Sequence, residues 1–255
     1  MSAADPALGR LQLREIVAAC LHIIFPTPCH TCRRPLDLQH VSDLCGRCWS
    51  ALERMPAKGC ARCGWPFPDP AATAGAEAAL CQRCRETRYH FRVARAVLRY
   101  RDGGIARAAI LLAKHGGRLT LMRRLAQVLA EATPQYLSPQ DWDGLVPVPL
   151  HWLRRWRRGF NQAEVLARAV GTRHRLPVLH GALRRVRPTP QQHGDLEARR
   201  RNVRDAFAVR AALTGQRLLV VDDVFTTGAT ADACAAALLR AGAMEVGVLT
   251  LARVE

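Results

Sequence analysis

The chain has 255 residues, 49% of them hydrophobic, and carries 38 Lys and Arg against 21 Asp and Glu, for a formal charge of +17. That apolar share excludes a disordered polyelectrolyte, and the length allows one core of about 150 to 200 residues plus a small appendage. The charge exceeds what solubility requires and admits a polyanionic partner, but the basic residues are nearly all arginine, with Lys58 and Lys114 the only lysines, so compositional bias competes with nucleic-acid binding as the explanation.

Residues 1–25 are predicted to form an amphipathic helix docked on the body. The apolar run Ile16 to Phe25 is short, is bounded and broken by Glu15 and His22, and meets no small-residue cleavage site before Pro26 and Cys29, which argues against a signal peptide. No other segment is long and apolar enough to span a bilayer, so the expectation is a cytoplasmic protein without a transmembrane segment.

Residues 26–90 read as a metal module. Eight of the ten cysteines form four C-x-x-C pairs: Cys29 and Cys32, Cys45 and Cys48, Cys60 and Cys63, Cys81 and Cys84. Each pair lets one knuckle turn present two thiolates to a tetrahedral zinc, and two knuckles complete its coordination, so the pairs predict two structural zinc ions. A disulfide framework lacks its secretion signal, and a redox C-x-x-C lacks a βαβ context. Sequential pairing closes short loops and is favoured by loop entropy, whereas interleaved pairing would cross-brace the module. Gly46 and Gly64 ease the turns, and the Pro- and Ala-rich stretch from Trp65 to Leu80 reads as an exposed loop. Cys20 and Cys234 lie on apolar helical segments as small buried residues.

Residues 91–255 form the body. A first strand is predicted over Arg92 to Tyr100 and a helix over Ile105 to Lys114. Lys114, followed by His115, Gly116 and Gly117, either supplies a point charge to a pyrophosphate or complements a helix dipole before a glycine stop. A helix over Leu119 to Ala132 and a strand over Asp143 to Leu150 come next. The segment that follows contains Trp152, Arg154, Arg155, Trp156, Arg158 and Gly159 and leads into a helix over Ala163 to Val170. Arginines beside a glycine suit a pyrophosphate. Two tryptophans among arginines suit stacked single-stranded bases, and the plain alternative packs both rings on the core. Leu183 to Phe207 has little apolar periodicity, is predicted to contribute nothing to the core, and reads as a hood over 183–210, with Arg199, Arg201 and Asn202 as closing contacts.

The most specific stretch, LLVVDDVFTTGAT over Leu218 to Thr230, begins as a strand buried on both faces and ends in adjacent acids, Asp222 and Asp223. Thr226, Thr227, Gly228, Ala229 and Thr230 then offer hydroxyls, a close backbone approach and the start of a helix over Thr227 to Arg240, whose free amides favour phosphate. A final strand over Glu245 to Leu251 completes a βαβ unit.

This run resembles the phosphoribosyl-pyrophosphate (PRPP) motif of type I phosphoribosyltransferases. The resemblance implies that the acids contact the ribose hydroxyls, that the loop wraps the 5′-phosphate, and that Mg2+ accompanies PRPP. Relatives acting on 6-oxopurines carry an acid where this chain has Thr226, which disfavours that chemistry. With the four C-x-x-C pairs, the RRGFNQ at Arg157 to Gln162 and the region ending in RN-x-x-x-AF at Phe207, the chain from residue 20 to 252 resembles the ComF family, the competence-associated, GntX-like branch of that fold. Gly194 departs from the expected apolar residue, a role Leu196 takes in a shifted hood. The resemblance implies an α/β protein of type I phosphoribosyltransferase fold: a mainly parallel twisted sheet flanked by helices, behind a small double-zinc module. It also implies a link to natural competence or use of external DNA. The partners are then PRPP, single-stranded DNA and proteins of the competence machinery. Either the protein transfers phosphoribose, or it is a non-catalytic DNA-binding accessory with a PRPP-sensing pocket.

Overall fold

The computed structural model describes residues 28–36, 43–67, 79–150, 159–186, 206–210 and 212–255. The chain divides into two compact units, Met1–Leu52 and Glu53–Glu255.

In the smaller unit a knuckle turn is closed by an antiparallel bridge between Pro28 and Pro35 and by Cys29 N–H donating to the Arg34 carbonyl. A short helix α1, Gly46–Ser50, starts directly after Cys45. Leu36, Leu44 and Leu52 are its buried apolar side chains among the described residues outside the cysteines. So small a core needs a cross-link.

The larger unit opens with a second knuckle and the helix α2, Gln82–Glu86. Its sheet contains β1 (Val93–Tyr100), β2 (Gly144–Pro147), β5 (Arg217–Phe225) and β6 (Glu245–Val254) in the order β1-β6-β5-β2, every neighbouring pair parallel. Leu218 to Val221 are wholly buried, which is why the run is apolar throughout rather than alternating. Side chains alternate along β5. Leu218 and Val220 join a core with Val246, Val248, Cys234 and Leu238, the last two from helix α6, Ala229–Arg240. Leu219 and Val221 face the other way, where α4 (Leu119–Tyr136) and α5 (Gln162–His174) pack on the sheet and on each other. Helix α3, Ile105–His115, follows β1. Gly247 of β6 has no room for a side chain, because a Cβ there would lie 2.3 Å from the buried ring of Trp142. The outer edge of β1 is covered by residues 53–62 through Met55 N–H to Val97 O, Arg99 N–H to Glu53 O and Ala94 N–H to Arg62 O, which hides the strand edge from other chains.

Three expectations need correcting. The helix predicted to end at Ala132 runs to Tyr136 with Pro134 in its last turn. Proline cannot donate to the Ala130 carbonyl; that oxygen is taken instead by His174 Nε2 of α5 at 2.8 Å, so the proton sits on Nε2 and the break is satisfied by the neighbouring helix. The β5 strand does not end at the acids but runs on through them, since pairing with β6 continues to Phe225 opposite Arg253. Finally, the segment 183–207 does contribute to the core at its ends. Strands β3 (Leu183–Arg185) and β4 (Phe207–Val209) pair antiparallel, and Leu183, Ala206 and Phe207 are buried. One or two apolar residues at each end of a basic stretch are too few to show a period.

Candidate functional site

Strand alternation separates the two acids. Asp223 turns toward the end of α3, where Lys114 Nζ lies 2.7 Å from its Oδ2, both side chains mostly buried. Asp222 lies near Cys234 and Arg185 and accepts the Asp223 amide at 2.8 Å. Burial first, and then the neighbouring Asp223 charge, push the Asp222 carboxyl up from 3.8 to about 7. A carboxyl held this far up meets its ordinary chemistry again when hydroxyl donors or a cation arrive.

After Phe225 the chain bends through Thr226 and Thr227 to Gly228, whose φ of +83° places it in the left-handed region. A Cβ at Gly228 would stand 2.7 Å from Phe225 Cζ, so the loop folds back with bare backbone on that ring. The Thr227 hydroxyl accepts the Ala229 amide at 3.4 Å, and the Thr227 carbonyl accepts the Tyr89 hydroxyl at 3.1 Å. The helix dipole and first-turn amides of α6 therefore face the loop, an arrangement that suits a phosphate. Arg185 also lines a cavity of about 540 Å³, together with Arg168, Arg184, Arg210 and His180, with Glu164 as its acid. Asn161 anchors the nearby turn: its Oδ1 caps α5 at Ala163 N and its Nδ2 donates to Val148 O, both at 3.1 Å.

The cysteines gather into two sets, Cys29, Cys32, Cys45 and Cys48, and Cys60, Cys63, Cys81 and Cys84, each with all four sulfurs within 4.8 Å of one another. The pairing is sequential. Zinc–sulfur bonds of about 2.3 Å in a tetrahedron require sulfurs about 3.8 Å apart. The structure has Cys29 to Cys48 at 3.7 Å, Cys32 to Cys45 at 3.6 Å and Cys63 to Cys81 at 3.7 Å. The donor sets thus fit two structural zinc ions. Burial pushes the Cys29 thiol up, but the amides of Cys32, Cys45 and Thr31 outweigh it and hold the thiol down to about 6. The Cys60 thiol is held far down, chiefly by the thiols of Cys63 and Cys84.

The structure brings Asp222, Asp223, Lys114 and the loop from Thr226 to Thr230 together. Gly159 is placed elsewhere, exposed at a groove between α4 and α5 with φ +75°. Arg158, Arg199, Arg201, Asn202, Trp152, Arg154, Arg155 and Trp156 lie outside the described residues, as do the predicted N-terminal helix and Cys20. Cys234 is buried, as expected. Sequence reasoning missed Tyr89, Arg185 and Arg253. Arg253 alone carried a signal, as a charged residue inside the apolar run of β6.

Residues 20–85 match the double zinc ribbon domain. The chain is 32% identical over 238 residues to the DNA utilization protein YhgH of Salmonella typhimurium, covering 89% of this chain and 97% of that one. It is 35% identical over 141 residues to competence protein F of Haemophilus influenzae, covering 51% of this chain and 60% of that one. It is also 26% identical over 218 residues to the competence protein ComFC of Streptococcus pneumoniae, covering 83% and 88% respectively. Among solved structures, UMP synthase of Leishmania donovani aligns with a TM-score of 0.33 and 18% identity over 58% of this chain and 24% of that one.

Proposed function

The chain belongs to the family of YhgH and the competence proteins F and ComFC, and from that membership we propose that it binds PRPP with Mg2+ as a phosphoribosyltransferase-like protein serving DNA uptake or the use of external DNA. The observation that carries the reading is the junction of β5 and α6: an acid pair buttressed by Lys114, followed at once by a glycine-hinged threonine loop on a helix N-terminus.

In this reading Asp222 and Asp223 accept the ribose hydroxyls, and Thr226, Thr227, Gly228, Ala229 and Thr230 donate to the 5′-phosphate. Lys114 holds Asp223 in place and brings a cation beside the leaving pyrophosphate, a task shared with Arg158, Arg199 and Arg201, with Asn202 as a neutral donor. Mg2+ bound with PRPP supplies further charge neutralisation as pyrophosphate departs. Thr226 in place of an acid argues against 6-oxopurine acceptors. The protein acts in the cytoplasm, with the competence machinery as its protein partners.

A second reading, a non-catalytic single-stranded DNA-binding accessory with a PRPP-sensing pocket, is favoured by the +17 charge and would use Trp152, Arg154, Arg155 and Trp156 for stacking and phosphate contacts. Calorimetric titration of PRPP and Mg2+ into wild type and Asp223→Asn separates the two. The first reading expects saturable binding that weakens by about a hundredfold in the variant, because the change also strands Lys114. Wild-type protein with its zinc in place and no affinity for PRPP would sink it. Affinity for single-stranded DNA that falls steeply with salt and ignores Asp223→Asn would then make the accessory role the account to keep.

A further inference from the structure

We infer that Arg253 is a positioning residue that ties the second cysteine cluster to the phosphate loop, so that metal held by Cys60, Cys63, Cys81 and Cys84 sets the shape of the loop from Thr226 to Thr230; the inference rests on the reading of that loop as the phosphate cradle.

Arg253 is 2% exposed. A guanidinium this deep requires a negative partner and acceptors for its fork. Among the described residues no carboxylate pairs with it. Its acceptors belong to the cluster instead: Nη1 donates to the Cys63 carbonyl and Nη2 lies 3.6 Å from Cys63 Sγ. Four thiolates around a divalent ion leave a net negative charge, which is the counter-charge the guanidinium lacks. Arg95 adds a second tether, donating to the carbonyls of Cys60 and Ala61 at 3.4 and 3.2 Å.

From the same guanidinium the contacts run on to the loop. Its carbon lies 5.1 Å from the ring centre of Trp65, just past the knuckle, and 4.7 Å from that of Phe225. Phe225 is the parallel-sheet partner of Arg253, so β5 and β6 fix this stack in register. The tip of the Phe225 ring is the surface against which Gly228 folds. Phe91 meets Phe225 edge-on at 6.1 Å and stacks on Tyr89 at 4.7 Å, whose hydroxyl holds the Thr227 carbonyl. The loop is thus gripped at Gly228 and Thr227 by rings whose positions are set on one side by Arg253. Releasing the cluster strands a buried cation and lets Phe225 move, and the loop moves with it.

The test reads the loop without ligand. Amide hydrogen exchange over Phe225 to Ala231 is compared with exchange in α4 for full-length zinc-loaded wild type, Arg253→Met and Arg253→Lys. Coupling of the size found between touching residues predicts about tenfold faster exchange in the loop of Arg253→Met, with α4 unchanged and an intermediate loop in Arg253→Lys. Loop exchange equal to wild type in both variants would overturn the inference, as would equal acceleration of loop and helix, the mark of general destabilisation. If Arg253→Met does not fold, Arg253→Lys decides alone, since it keeps the charge and loses the fork. PRPP and Mg2+ titrated into wild type in parallel report on the cradle reading separately.

Discussion

The two cysteine clusters share a ligand set and a knuckle geometry, yet the fold puts them to different uses. The first, in Met1–Leu52, has one exposed and one half-exposed cysteine and few buried apolar neighbours. In the second, Cys60, Cys63 and Cys84 belong to the same apolar core as β5, β6 and α6. Its backbone pairs with β1, and a buried arginine of β6 donates to it. The lesson is that four thiolates are a cross-link in one setting and part of the apolar core of an α/β body in the other.

The sharpest break between the clusters is loss of a ligand. Cys84→Ser is expected to remove one zinc and the cooperative melt of the Glu53–Glu255 unit, since structural zinc contributes about 10 kcal/mol or more of folding free energy. Cys48→Ser is expected to remove the other zinc and leave that melt in place. Metal analysis beside thermal unfolding checks both. A smaller effect tests the far end of the contact chain. Gly228→Ala forces a left-handed Cβ into the Phe225 ring and should cost about 1 to 3 kcal/mol while abolishing PRPP binding, with both zinc ions retained. A separate effect, on pH dependence, is confined to the acid pair. Because Asp222 is held up to about 7 from 3.8, the folded form keeps a proton that the unfolded chain has already released between these values. Stability from this group is therefore complete below about pH 4, falls as pH rises to about 7 and is level above. Melting from pH 4.5 to 8 should show a slope in wild type that is shallower in Asp222→Asn.

Much of this was legible in the sequence. The C-x-x-C spacing announced two metal sites because a knuckle is a local structure, and loop entropy already leaned toward the sequential pairing the structure adopts. The stretch from Leu218 to Thr230 announced its strand, acids and loop because they are contiguous. Pro134 hid the true end of α4, since the replacement donor, His174, is 40 residues on. Leu183 and Phe207 gave no periodic signal, and only their pairing across 183–209 shows that they are core. Lys114 was legible as a candidate for pyrophosphate, but its contact with Asp223 spans two strands and depends on their register. The link from Cys63 through Arg253 and Phe225 to Gly228 was invisible for the same reason: it needs β5 and β6 side by side.

The most direct test of the contrast is the rise in melting temperature caused by PRPP and Mg2+, measured for wild type, Cys48→Ser and Cys84→Ser. A ligand that binds only the folded state at a hundred times its Kd adds about 2.7 kcal/mol. The account predicts that this rise survives in Cys48→Ser and vanishes in Cys84→Ser, along with its cooperative melt. A Cys84→Ser protein that melts cooperatively and responds to PRPP as wild type does would contradict it.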